Sequence, residues 1–106
     1  MSTTITLPAS LVQAYEDVFS APGYAASGLP VDHKQLTADH LDDLRHAALL
    51  DIANLEGVIG INGWKGRTVE EIDSEDPGAV LRLRQDCMAA KRLLRWTETR
   101  LQEVAP

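Results

Sequence analysis

The reading of the fold turns on residues 76–104, DPGAVLRLRQDCMAAKRLLRWTETRLQEV. Proline and glycine stand at its start, and nothing that breaks a helix follows until Ala105-Pro106. Val80, Leu83, Cys87, Ala90, Leu94, Thr97, Leu101 and Val104 recur at alternating steps of three and four, the a/d pattern of a heptad stripe. A long C-terminal helix over 77–104 is predicted, with Asp76 as its cap and Pro77 in the first helical position. Such a helix is roughly 40 Å long, against ~33 Å for the span of a globule of this chain length. It needs either two helices end to end to cover it, or the same helix from a second copy. The second option makes Val80, Leu83, Cys87, Ala90, Leu94 and Leu101, with Trp96 beside them, a candidate homodimer interface. Cys87, Ala90 and Thr97 are small enough to allow close approach.

Two more helices precede it. Thr37 caps one that runs to Gly57, where Leu41, Leu44, Ala48, Ile52 and Leu55 repeat at helical spacing and Leu49, Leu50 and Ala53 widen the apolar face. Ser10, with Gln13 as its capping-box partner, opens another that places Leu11, Tyr15, Val18 and Phe19 on one side and ends at Pro22-Gly23. Thr68 and Glu71 form a further capping box that starts a short helix through Ile72. Between these elements, 20–36 carries no periodicity. The glycine-spaced 57–66 permits a small β-hairpin around Asn62-Gly63, or a loop. The expectation is an all-α bundle: one domain over 1–106, with three main helices and a short one.

Composition narrows the function classes. The 106 residues are 44% hydrophobic and 25% charged, which argues against a disordered tail. No apolar run reaches the ~20 residues of a bilayer span. Cys87 is the sole cysteine and the N-terminus lacks a secretory pattern, so a reducing, cytoplasmic setting is expected. The net charge is −6, divided unevenly. Residues 1–77 hold 13 acids and 4 bases, and residues 78–106 hold 3 acids and 6 bases, so the body is acidic and the last helix mildly basic. That balance opposes binding to nucleic acid or anionic lipid.

No catalytic set emerges. Asp39, Asp42 and Asp43 with His40 and His46 share a helical stretch and could in principle hold zinc or manganese. The same acids, however, stand where a helix dipole favours them on a solvated surface. Counting a calcium loop from Asp73 puts Gly78 in the sixth place but Pro77 in the fifth and Arg84 in the twelfth, so the EF-hand pattern fails. Lys65-Gly66-Arg67-Thr68 is not a phosphate loop. No cofactor, no metal and no enzymatic activity are therefore expected. What remains is a protein-interaction module, a regulator or inhibitor, docking a partner of basic surface through Glu70, Glu71, Asp73, Glu75 and Asp76 and through Asp39, Asp42 and Asp43. One alternative is nucleic-acid binding through Arg82, Arg84, Arg92, Arg95 and Trp96. Another is a metal-dependent activity on the histidine-bearing helix.

Overall fold

In a computed structural model of the chain, residues 4–20, 34–59 and 68–104 are described below. Four α-helices account for most of them: α1 (Val12–Phe19), α2 (Ala38–Ile59), α3 (Val69–Glu75) and α4 (Ala79–Val104). The all-α class is confirmed, with no strand among the described residues. The proportions differ from the expected three main helices and one short one. Two helices are long and two are short, because α1 closes after eight residues. There Ser20 turns its hydroxyl back onto the Glu16 carbonyl at 2.9 Å.

The opening of α1 also departs from expectation. Ser10 lies inside a 3-10 turn, Ala9–Leu11, that starts from extended Pro8, where Leu11 N–H donates to the Pro8 carbonyl at 2.9 Å. The Gln13 side chain reaches forward to Asp17 at 2.9 Å, so no capping box forms with Ser10. Just before it, Ile5 and Leu36 exchange backbone hydrogen bonds of 2.8 and 2.9 Å in an isolated antiparallel bridge. The alternation of Thr4 to Leu7 is used here: Leu7 is buried while Thr4 and Thr6 face water. This bridge ties the N-terminal segment to the entrance of α2.

Thr37 caps α2 as its residue type predicts, accepting from His40 N–H at 3.3 Å. Leu41, Leu44, Ala47, Ala48 and Ile52 are buried. The wider apolar face is not: Leu49 is 43% exposed and Ala53 faces solvent. Helix α2 passes through Gly57 to Ile59, so Val58 and Ile59 belong to a helix and not to a hairpin strand. The Asn62-Gly63 turn and Pro22-Gly23 lie outside the described residues.

The principal interface is between α2 and α4, with α1 laid against both. Tyr15, Val18 and Phe19 bring the apolar side of α1 into the same core, the two rings meeting edge to face with centroids 4.9 Å apart. Leu36, Leu41, Leu44, Ala90 and Leu93 complete its centre. The molecule measures 53 × 24 × 21 Å, an elongated shape set by the two long helices. With 26 residues, α4 is about 39 Å long and outgrows the ~33 Å span of a globule of this chain length.

The junction into α4 is the clearest local correction. Asp76 does not cap α4, which begins at Ala79. Instead, Gly78 adopts φ +87°, a left-handed conformation that separates α3 from α4. The Asp73 carboxylate accepts from Gly78 N–H at 3.1 Å, and Asp76 pairs with Arg82 at 2.6 Å. The aspartates there hold a turn together.

Candidate functional site

The acids expected to dock a partner fall on two helix starts. On α3, Thr68 accepts from Glu71 N–H at 3.1 Å, as its capping box predicts, and buried Ile72 fixes the helix against α4. Glu70, Glu71, Asp73, Glu75 and Asp76 are all exposed. Their states differ: Asp73 and Asp76 are engaged at the Gly78 turn, whereas Glu70 and Glu71 make no side-chain hydrogen bond or ion pair with the described residues. At the start of α2, Asp39 and Asp42 are exposed and Asp43 is half-buried. Asp42 already has the Arg45 guanidinium at 3.3 Å, and the His46 ring nitrogen at 3.6 Å. Arg45 neutralises part of the charge that a metal ion would need. Among the described residues no three His, Cys, Asp or Glu side chains converge as a metal site.

The α4 stripe is consumed within one chain. Val80, Cys87, Ala90 and Thr97 are buried, and Leu83, Leu94, Leu101 and Trp96 are partly buried. Leu94, Trp96 and Leu101 rest on the core shared with α2 and α1. Val80 is buried where α3 meets α4. Much of the stripe expected to receive a second copy therefore packs inside the chain against α1 and α2, while Leu83, Leu94, Trp96 and Leu101 keep part of their surface open. Thr97, the one buried polar side chain among the described residues, donates its hydroxyl to the Leu93 carbonyl at 2.8 Å and needs no partner beyond its own helix. Burial pushes the Cys87 thiol up, outweighing the lowering influence of Lys91. It is a buried thiol packed in the core.

Sequence reasoning missed one arrangement entirely. Asp17 of α1, Asp51 of α2 and Asp86 of α4 meet around a cleft of about 290 Å³ floored by Ala14, Leu55 and Ala90. Burial raises the Asp51 carboxyl above its ordinary range, with added repulsion from Asp17 and Asp86. No pattern in the chain links positions so far apart, and only the packing of three helices assembles them.

The sign of that shift gives a measurable consequence. A carboxyl raised in the folded state binds a proton more readily folded than unfolded. Its ionised form therefore costs stability above the folded-state pKa, and the cost vanishes below the unfolded value. Asp51→Asn is expected to stabilise the protein at pH 7, by up to about 1 kcal/mol given the partial solvent access of the group. Near pH 3 the variant and the parent should match. Paired thermal melts at the two values test this, and equal gains at both would show that the charge is not the cause.

The other feature is on the outside of α4. Leu81 and Met88 are 60% and 65% exposed, the most open large apolar side chains among the described residues. Arg84, Arg92 and Arg95 are exposed beside them. No helix among the described residues is long and apolar enough to cross a membrane. Comparisons with protein-family models, with curated proteins and with solved structures gave no match to this chain, so its function has to be argued from these surfaces alone.

Proposed function

We propose that the chain is a small interaction module that acts as a regulator or inhibitor by binding a partner protein of basic surface. The observation that carries this reading is the state of Glu70 and Glu71. Both are exposed and uncompensated by the described residues, yet they sit on a helix fixed by its Thr68 cap and by buried Ile72. Charges held in place by a packed helix lose little freedom on binding, which favours specific docking over diffuse attraction. Nucleic-acid binding through α4 has weaker support. Arg82 is committed to Asp76, and Trp96 leans on the core in place of standing free to stack on a base.

The test compares two variants of matched charge change. One neutralises α3 through Glu70→Gln, Glu71→Gln, Asp73→Asn and Glu75→Gln, the Asn retaining an acceptor for Gly78 N–H. The other adds the same increment elsewhere, through Thr6→Lys, Ser10→Lys, Ala53→Lys and Gln102→Lys at exposed positions. An immobilised arginine-rich helical peptide serves as the basic probe. Retention by the α3 variant should drop about tenfold and lose most of its salt dependence, while the control drops far less. Equal losses would mean bulk charge alone drives the association, and the docking role for α3 would be abandoned.

A further inference from the structure

We infer that the outer face of α4 is a second docking surface, built to receive an acidic amphipathic helix from another protein. Five side chains make it. Leu81, Met88 and Arg95 stand seven residues apart, and Arg84 and Arg92 lie four residues to either side of Met88. At 100° per residue, all of them fall within about 40° of the Met88 direction and span about 21 Å of helix. Buried Ala90 and Thr97 point away from this face, toward the core. Leu81 and Met88 are mostly open to water, and none of the three arginines has an ion pair or side-chain hydrogen bond with the described residues. Lys91, at the edge of the face, is instead tied to Glu56 at 3.1 Å.

Charge complementarity selects the occupant. Symmetric pairing of this face with that of a second copy is rejected in either direction. Laying α4 antiparallel on itself with Met88 opposite Met88 sets Arg84 against Arg92, and a parallel arrangement sets every arginine against its equivalent. An extended polyanion is disfavoured as well: the face lacks an aromatic side chain to stack on, and the rest of the chain repels a long phosphate lattice through its charge of −6. Two apolar side chains are too few to hold a membrane surface. A short acidic helix answers each of these points. It lies within the reach of the three arginines, and beyond about a Debye length it is screened from the acidic body. Apolar residues one heptad apart on it would cover Leu81 and Met88, the unbranched methionine adapting to their shape.

This surface is separate from the acids of α3, so its fate does not depend on theirs. The chain contains two methionines, Met1 and Met88, and selective 13C labelling of their methyl groups makes Met88 a reporter on the face, its signal assigned by its loss in Met88→Leu. The probe is a synthetic helical peptide of about four turns with two leucines seven residues apart, glutamates one turn to either side of them and alanine elsewhere. A scrambled isomer of the same composition is its control. The Met88 signal should move saturably as the peptide is added. Affinity should fall about tenfold for the scrambled peptide and for the Arg84→Gln, Arg92→Gln, Arg95→Gln variant, whose thermal melt should stay close to the parent because those side chains have no ion pair or side-chain hydrogen bond with the described residues. A still Met88 signal overturns the inference, and so does equal binding of the scrambled isomer. Tighter binding of a duplex oligonucleotide, or of phosphatidylserine vesicles, also overturns it and assigns the face to that polyanion.

Discussion

Leu93→Ala is expected to destabilise the protein by about 2–5 kcal/mol, and Leu94→Ala by about half as much. The two leucines are neighbours in sequence and differ only in direction. Leu93 is fully buried at the centre of the α1–α2–α4 core, while Leu94 is partly exposed at its margin. Truncating Leu93 removes its contacts and leaves a cavity between helices whose backbones are held elsewhere by Leu44, Ala48 and Ala90. A small domain has roughly 5–15 kcal/mol to lose, so the variant should show a melting temperature lower by at least about 8 °C. Urea unfolding of both variants, read through the midpoint at constant slope, gives the comparison. If Leu94→Ala proves the more damaging, the heptad register describes α4 better than the packing seen here.

The register matters because the stripe was legible and its use was not. Reading 80–104 as heptads assumes a helix wound to 3.5 residues per turn around a like partner. Here α4 is covered by two different helices, α1 and α2, and their packing buries Leu93 and leaves Leu94 at the margin. Local signals fared differently. Thr37 and Thr68 cap as their residue types dictate, since a cap needs only the helix that follows it. Ser10 and Asp76 fail to cap because a proline or a glycine beside each redirects the backbone first. Gly57 does not stop α2, since intrinsic propensity is a weak term against the packing of a long helix. The surfaces followed the same division. Exposure of the α3 acids was readable from their run in sequence, but the meeting of Asp17, Asp51 and Asp86 depends on three helices finding one another. Leu81 and Met88, by contrast, already stand off the heptad stripe in the sequence, and both emerge on the open side of α4.

Gly78 carries the second large effect. At φ +87° a side chain is strained whatever the space around it, and a Cβ there would also stand 3.4 Å from the Arg82 guanidinium. Gly78→Ala is expected to cost about 1–2 kcal/mol and the β-branched Gly78→Val about 3 kcal/mol. Gly78→Asn should cost least, because asparagine tolerates the left-handed region. Chemical denaturation ranks the three, and that ranking is the signature: steric crowding alone would instead order them by side-chain volume, placing Asn behind Ala. The consequences extend past stability. The same turn receives the Asp73 carboxylate on Gly78 N–H and holds Asp76 to Arg82, so it fixes how α3 is presented relative to α4. A residue that forces the turn open frees Asp73 from Gly78 and Asp76 from Arg82, loosening the geometry in which α3 is presented. If rigid presentation of Glu70 and Glu71 is what makes binding specific, Gly78→Val should weaken retention on the basic peptide at temperatures where the protein is still folded. Intact retention in the face of a lowered melting temperature would instead mean that α3 carries its charges without needing the turn.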